Sequence, residues 1–467
     1  MFFKFDNLLA GVVVSLNFFL MVLQENSLYA ILPKYFSNQT SISARNETVL
    51  INSTVPQNCS FQKPPYVVVS QIFLSKNVAM IFLNIFIGII IYKLNIYIIL
   101  ILSHFVGIGV SFIYAYTDTL LLYIIGRVLD SFITCGILIG IYFLISKLFI
   151  VIEVRDRYYA LVNIIYFISH SIGPFYGAEV DERYGKSTVF LILVPLWIVC
   201  LLLTVFLYWR NRNRSKRSEI KLEGQRQKPN LESLDECINE ANVQILDKAK
   251  MDIFVQNSRK KTKTLNIIYK FIRDPFVMLC LGQLFVVNLS MYSLPPTLPS
   301  WMASEFCSSE IEQGIVWTFG FLGYIVGVVT VIIVDKHAYR FRYYVPVVGH
   351  LMIGILMIIL PFSRDWKMVF LPIVGMYVGV GFVDQIVIPL TINLAIFRHK
   401  SNTNIVSSLT SQSLTISSVI STLLCGHIVM LFGFHFLTIT LGIINLIFSP
   451  ISLYYRKLDF QPDKNVN

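Results

Sequence analysis

Residues 379–389 read GVGFVDQIVIP and place the carboxylate of Asp384 inside a run that is otherwise uncharged and mostly apolar from Val369 to Leu394. A charge near the middle of a bilayer costs at least about 2.5–3.5 kcal/mol on insertion scales, so such a group normally faces water or a partner. The flanking glycines and Pro389 predict a loosened helix, as in the broken helices of transporter sites. Asp384 is therefore the first candidate functional residue.

Composition assigns the chain to the polytopic helical membrane proteins. Hydrophobic residues make up 55% of the 467 residues, charged residues 14%, and mean hydropathy is +0.67. A soluble protein would carry about 25% charged residues. Windows of about 20 apolar residues recur along the whole chain, which favours membrane-spanning helices.

The basic residues are concentrated in one loop. Of the 38 Lys and Arg residues, 16 lie between Arg210 and Arg273, although the net charge of +11 alone would also suit a nucleic-acid partner. Such asymmetry is typical of a cytosolic loop near anionic lipid, so we expect no nucleic-acid partner. The seven cysteines form no CxxC pair, and catalytic motifs are missing from the sequence. We therefore expect no metal, no cofactor and no enzymatic activity.

The apolar windows predict an all-α membrane protein with twelve spans. The predicted spans are 6–32, 67–92, 94–115, 119–149, 158–179, 187–209, 276–299, 312–334, 342–362, 367–394, 404–430 and 433–455. The first thirty residues lack a basic leader and a small-residue cleavage site, so we expect the first span to be retained.

Two groups of six spans around a basic loop are the 6+6 organisation of the major facilitator fold, with two pseudo-symmetric halves. The predicted units are a first half at 1–209, a cytosolic linker at 210–263, a second half at 264–458 and a cytosolic tail at 459–467. An even number of spans puts both termini on one side, which the basic loop makes cytosolic.

The loop at 36–66 tests this topology independently. Four glycosylation sequons lie in it, at Asn38, Asn46, Asn52 and Asn58. Glycan acceptors require the lumenal or extracellular side, which is where the topology places this loop. Cys59 and Cys307 lie on the same side, where an oxidising compartment permits a disulfide.

Four further charged residues lie inside predicted spans, away from the span ends. They are Glu25 in the first span, Lys76 in the second, and Arg127 and Asp130 in the fourth. Arg127 and Asp130 are three residues apart, so they share a helix face, and their pairing either serves function or only locks helices together. Lys76 requires an anionic partner, for which Glu25, Asp130 and Asp384 are the candidates.

Two motifs at span ends predict helix contact and gating. Gly173, Pro174 and Gly177 permit close helix approach and bending at the end of the fifth span. At the cytosolic end of the eighth span, Asp335, Lys336 and Arg340 provide an acid and bases that we interpret as an ion-pair gate. The corresponding corner of the first half, at 88–93, has a base and no acid, so that gate would be asymmetric.

Several stretches resemble the vesicular monoamine and acetylcholine transporters over nearly all of 1–458, apart from the two long loops. The stretches are FLSK at 73–76, FIG at 86–88, GRVLD at 126–130, IGP at 172–174, YGK at 184–186, RDP at 273–275, LPSWM at 298–302 with Cys307, and GFVD at 381–384 with Pro389. The matches in spans seven and ten are the most specific.

The resemblance implies exchange of lumenal protons for a cationic amine across the membrane of acidic synaptic or secretory vesicles. By motif, Glu25 would meet the amine, Lys76 would pair with acids, and Asp384 would take part in proton coupling. It also implies a disulfide between Cys59 and Cys307. The residues implied to line the cavity are Asn26 beside Glu25, Phe73, Asn288, Trp317 and Tyr324. Aromatic faces there would attract a cation by about 0.5–2 kcal/mol.

The chain departs from the family at three membrane carboxylates. Met21 stands where the family has its span-one aspartate, Pro295 replaces the span-seven glutamate, and the span-eleven aspartate falls near Ser411 in a stretch, 408–418, that has no acid. These departures leave open another solute, such as acetylcholine, a polyamine or an organic anion, and a non-transporting binding or sensor protein. The expected partners are a small cationic amine, protons and the lipid bilayer, and we expect a monomer.

Overall fold

The computed structural model describes residues 2–36, 66–90, 95–148, 152–226, 273–337, 343–399 and 403–457. Every regular element in these ranges is a helix. In chain order the α-helices are α1 Phe2–Asn26, α2 Leu28–Phe36, α3 Tyr66–Ile90, α4 Ile96–Tyr116, α5 Leu120–Leu148, α6 Ile152–Tyr184, α7 Lys186–Leu191, α8 Leu193–Arg226, α9 Pro275–Phe306, α10 Glu310–His337, α11 Val345–Ile359, α12 Phe370–His399 and α13 Thr403–Phe448. Three 3-10 segments are Leu360–Phe362, Trp366–Val369 and Ser449–Lys457.

Ten helical stretches of the described residues are long and apolar enough to cross a membrane. The predicted fifth span, in α6, is not among these ten stretches. The predicted eleventh and twelfth spans lie together in the stretch Gln412–Tyr454. The all-helical membrane class is therefore confirmed, while the count of twelve and the 6+6 arrangement stay predictions.

Large apolar side chains lie on the outer surface of the bundle. Leu371 is 77% exposed, Leu431 is 69% exposed and Phe82 is 68% exposed. Helices that are apolar on their outer as well as inner faces suit a lipid environment, where the outward side chains contact acyl chains.

Several helices begin at sequence-encoded caps. Asp274 precedes Pro275 and accepts a hydrogen bond from the Phe276 backbone N–H at 3.0 Å, so α9 starts with an acidic N-cap and a proline at its first position. Ser309 and Glu312 form a reciprocal capping box before α10, with contacts of 2.8 and 3.3 Å.

Two breaks divide long helical stretches. Ser27 separates α1 from α2, and its hydroxyl donates to the Gln24 carbonyl at 2.9 Å. In α13, Gly433 has φ 86° and ψ 164°, a region of backbone space that is almost restricted to glycine. This break lies at the predicted boundary between the eleventh and twelfth spans.

The glycines beside Asp384 are contact points between helices. A Cβ on Gly379 would lie 2.7 Å from the Gly349 carbonyl oxygen of α11, and one on Gly381 would lie 2.8 Å from the Tyr324 carbonyl oxygen of α10. The helix α12 runs unbroken through both glycines and Pro389. The predicted loosening is thus wrong, because the missing side chains let three helices pack closely.

The serines of α13 hold it to α9. The hydroxyls of Ser413, Ser417 and Ser421 donate to the backbone carbonyls of residues 281, 285 and 289 at 3.2, 2.7 and 2.8 Å. Hydrogen bonds of this kind join helices where apolar contact alone gives little driving force. We call these three bonds the serine ladder.

The first half (helices α1–α8) meets the second half (α9–α13) through α6 against α10 and α3 against α13. A Cβ on Gly314 of α10 would lie 2.9 Å from the Pro174 carbonyl oxygen of α6, and one on Gly426 of α13 would lie 2.7 Å from the Tyr66 carbonyl oxygen of α3. The halves are therefore in backbone contact at the end where α2 stops. The linker 227–263 lies outside the described residues, and α8 extends past the predicted boundary at 209 to Arg226, so the domain limits stay predictions.

Candidate functional site

Four charged side chains from three helices of the first half form one network. The Lys76 ammonium lies 2.6 Å from Glu25 and 3.7 Å from Asp130. The Arg127 guanidinium lies 3.1 Å from Asp130 and 3.9 Å from Glu25. Two acids and two bases thus neutralise each other between α1, α3 and α5. We call these four residues the charge network.

Three of the four side chains in the charge network are buried. The side chains of Lys76, Arg127 and Asp130 are 1–2% exposed, whereas Glu25 is 19% exposed. The Ser131 hydroxyl donates to the Lys76 carbonyl at 3.0 Å and ties α5 to α3 beside it. Because burying unpaired charge is costly, the network requires its mutual pairing, and Glu25 is the member that remains accessible.

Asp384 lies apart from this network on α12. The Tyr324 hydroxyl donates to its Oδ2 at 3.4 Å, and its Oδ1 is buried and has no hydrogen-bond partner among the described residues. No cation of the described part of the chain forms a salt bridge with it. Within the described helices, the carboxylates of Glu25, Asp130 and Asp384 therefore outnumber the cations Lys76 and Arg127 deep in the bundle.

Aromatic rings continue from the charge network to Asp384. Tyr29 meets Phe73 and Trp317 edge to face at 5.4 and 5.7 Å, and Phe167 stacks on Tyr324 at 3.7 Å between ring centroids. These contacts join α2, α3 and α6 of the first half to α10 of the second half. The two acidic positions are thus linked by an aromatic layer that crosses the interface between the halves.

One face of the Phe73 ring is covered by a side chain of the same chain and is not free to contact a substrate. The Arg127 guanidinium lies over its ring at 4.9 Å, a cation–π contact within the chain. Of the other predicted cavity residues, Trp317 is fully buried, and its indole N–H has no hydrogen-bond partner in the described part of the chain. Asn288 donates to the carbonyl of Leu284 in its own helix at 2.8 Å. Their roles in substrate binding stay predictions.

His170 belongs to this layer and was missed by sequence reasoning. Its Nδ1 is hydrogen-bonded to the side-chain amide of Asn26, and its ring lies 4.4 Å from Tyr166 and 4.9 Å from Phe321 of the second half. The available signal was a histidine one helical turn before the Gly173–Gly177 motif. It places a polar ring beside Glu25 at the interface of the halves.

The predicted bending motif contacts the break in the first helix. A Cβ on Gly173 would lie 2.6 Å from the Asn26 Cβ, and one on Gly177 would lie 2.2 Å from the Ser27 carbonyl oxygen. Pro174 lies inside α6, which continues to Tyr184. The motif thus brings α6 against the end of α1 and fixes the position of Asn26, next to Glu25.

Other predicted residues lie outside the described part of the chain. The four sequons Asn38, Asn46, Asn52 and Asn58, Cys59 and Arg340 fall in the gaps, and the side chains of Asp335 and Lys336 are not described. Cys307 ends α9 in the left-handed conformation and is not among the free cysteines. The glycosylation, the Cys59–Cys307 disulfide and the ion-pair gate stay predictions.

Comparison with known proteins supports a transporter. A family model for the Major Facilitator Superfamily matches residues 14–421. The vesicular acetylcholine transporter of Tetronarce californica is 26% identical over 206 residues, 44% of this chain and 40% of that protein. Those of Homo sapiens and Mus musculus are 26% identical over 191 residues, 41% of this chain and 36% of each protein. The chain thus spans about two fifths of the length of these curated relatives.

Proposed function

Because this chain belongs to the Major Facilitator Superfamily, we propose that it is a secondary transporter that exchanges lumenal protons for a cytosolic cationic amine in acidic vesicles. The family and the resemblance to vesicular amine transporters support the transport class. The choice of amine and of proton coupling rests on the charges of the site. The basic loop from Arg210 to Arg273 supports a cytosolic side opposite the Lys34 end of α2.

The excess of one buried carboxylate is the observation that carries this proposal. When Asp384 is ionised, the membrane interior of the described chain holds one negative charge without a counter-charge, and a cationic amine supplies it. When Asp384 binds a proton, the same charge is neutralised without an amine. Either a proton or an amine can therefore neutralise the charge of Asp384, but not both at once. Such mutually exclusive binding is the requirement for exchange of one for the other.

The aromatic layer supports a cationic rather than an anionic solute. Rings of Tyr29, Trp317 and Tyr324 lie between Glu25 and Asp384, and their faces attract organic cations. An organic anion would require cations without acidic partners, but Lys76 and Arg127 are both paired with carboxylates. The relatives named vesicular acetylcholine transporters make a quaternary ammonium the first compound to test.

The experiment measures uptake of radiolabelled acetylcholine, monoamines and polyamines into proteoliposomes with an imposed pH gradient, with and without an uncoupler. The native protein should accumulate at least one amine in an uncoupler-sensitive way. Asp384→Asn should reduce this accumulation to the uncoupled level while eluting as a monodisperse peak, because the asparagine removes the exchangeable charge.

The matched control is Asp365→Asn, which changes an acid in the loop before α12 and should retain native uptake. Unchanged uptake in Asp384→Asn would refute the role of this carboxylate. Amine binding by the native protein with no uncoupler-sensitive accumulation would instead favour the binding or sensor alternative.

A further inference from the structure

A second charged cluster lies where α2 ends, outside the charge network. The Lys34 ammonium lies 2.8 Å from Asp181 and 2.9 Å from Glu310. Lys34 and Asp181 belong to α2 and α6 of the first half, whereas Glu310 is the first residue of α10 in the second half. We call these three residues the latch. It joins the two halves by an ion pair that must break whenever they separate at this end.

The latch coincides with backbone contact between the halves. Gly314, one turn after Glu310, packs against the backbone of α6, where an added Cβ would lie 2.9 Å from the Phe175 Cα. The structure therefore has this end closed. Because the interface is tight there, the latch residues are held at contact distance by the surrounding helices.

One carboxylate oxygen of the latch has no hydrogen-bond partner among the described residues. Both oxygens of Asp181 are bonded, Oδ2 to Lys34 and Oδ1 to the Tyr35 hydroxyl at 2.7 Å. Glu310 bonds Lys34 through Oε1, but its Oε2 is buried and has no hydrogen-bond donor among the described residues. Buried carboxylate oxygens normally accept a hydrogen bond, and a proton on Glu310 would turn this orphaned oxygen into a donor.

We propose that Glu310, with Asp181, is a lumenal proton-binding site whose occupation stabilises the closed latch. Two carboxylates that share one ammonium repel each other when both are ionised, and a proton on Glu310 relieves that repulsion. When the halves separate, Glu310 is hydrated and distant from Asp181, so it holds the proton less tightly. By linkage, acid on this side favours the closed conformation.

The latch borders a cavity and is partly exposed at the surface. A cavity of about 260 Å³ is lined by Lys34 and Glu310 together with Ala30 and Glu182, and the Lys34 side chain is 45% exposed. Among the described residues, the charged and titratable groups around the latch come from five elements and one loop. They are Lys34 and Tyr35 of α2, Asp118 before α5, Tyr123 of α5, Asp181 and Glu182 of α6, Lys186 of α7, and Glu310 and Glu312 of α10. The assignment of this site to the lumenal side of the membrane rests on the proposed function.

The test measures closure without measuring transport. Ala30 lines the cavity and is 1% exposed, so a cysteine at this position reacts with a membrane-impermeant maleimide when the halves separate. In nanodiscs, Ala30→Cys should react about threefold or more slowly in acid than at neutral pH. Rates are divided by those of Tyr184→Cys, an exposed position at the same end, to remove the effect of pH on the thiol.

Two variants identify the proton site. Glu310→Gln and Asp181→Asn, each combined with Ala30→Cys, should lose the pH dependence of labelling, because each removes one of the two interacting carboxylates. Glu312→Gln is the matched control: this acid lies two residues further along α10 and bonds Ser309 in the capping box, so the pH dependence should persist.

A pH-independent rate for Ala30→Cys alone, or native pH dependence in Glu310→Gln, would overturn the proposal. Neither labelling rate depends on uptake of an amine. The latch proposal can therefore be supported or overturned even if the protein does not transport amines.

Discussion

Charge neutrality of the buried network predicts how single residues contribute to stability. Asp130→Asn would leave Lys76 and Arg127 with Glu25 as their one acidic partner. An uncompensated buried charge costs about 3–5 kcal/mol, so we expect a marked fall in the thermal unfolding temperature in detergent. The double variant Asp130→Asn with Lys76→Met restores neutrality and should recover most of that loss.

The double variant separates charge balance from packing. If both variants unfold at the same temperature, the loss comes from the missing Asp130 contacts and the neutrality argument is wrong. Native-like melting of Asp130→Asn alone would show that the network contributes little to folding.

The sequence identified the members of the network and proposed the pairing of Arg127 with Asp130, but it left the acidic partner of Lys76 open. Spacing alone predicted that Arg127 and Asp130 share a face, because both lie on one helix. The partner of Lys76 depended on which helices are neighbours, and three acids were available. The latch was missed for a different reason: Lys34, Asp181 and Glu310 look like ordinary charges at helix ends until the tertiary fold brings them together.

At the scale of the helix, close packing of α6 on the end of α1 predicts unequal effects of two glycine substitutions. Gly177→Ala would place a Cβ 2.2 Å from the Ser27 carbonyl oxygen, so the helices must move apart. Such overpacking costs typically about 1–3 kcal/mol. A thermal unfolding series in detergent should show the corresponding decrease.

Gly109 supplies the matched control, since it lies inside α4 with no atom within 4 Å of an added Cβ. Gly109→Ala should leave stability unchanged or raise it by up to about 1 kcal/mol through helix propensity. Equal effects of the two substitutions would contradict the close contact at Gly177.

Motif spacing predicted the existence of this contact and not its partner. The Gly173–Gly177 pattern indicated that another helix approaches α6. The glycines beside Asp384 carried the same signal but were interpreted as loosening, because a local pattern does not distinguish a flexible helix from a close-packed one. The break at Gly433 was anticipated by the gap between two apolar windows.

For the whole molecule, contact between the halves predicts that one added disulfide arrests the transport cycle. An added Cβ at Gly426 lies 3.0 Å from the Ser70 Cβ, so a small shift gives disulfide geometry between α3 and α13. Oxidation of Ser70→Cys with Gly426→Cys should abolish uptake of a transported amine, and reduction should restore it.

Each single variant, treated with the same oxidant and reductant, controls for the native cysteines and for crowding at Gly426. A quantitatively crosslinked double variant that transports at the native rate would show that α3 and α13 need not separate at this end during transport.

Composition and apolar windows were sufficient to predict a helical membrane protein, and residue patterns were sufficient to predict its family. Composition and residue patterns did not predict the conformation of the transporter. Which end of the interface is closed depends on contacts such as Gly314 with α6 and Lys34 with Glu310, whose members are far apart in sequence and belong to different halves.

The serine ladder restricts how the second half can deform. Its donors and acceptors both repeat every four residues, so all three bonds form in one register of α13 against α9. Sliding by less than a helical turn, about 5.4 Å, breaks every bond at once in a medium that offers few replacements. Small relative displacements are therefore penalised more than rotation of the joined pair. The serine-rich part of α13, where the vesicular amine transporters have an aspartate, would thus move together with α9 as a rigid pair. Such a pair transmits motion from one end of the second half to the other.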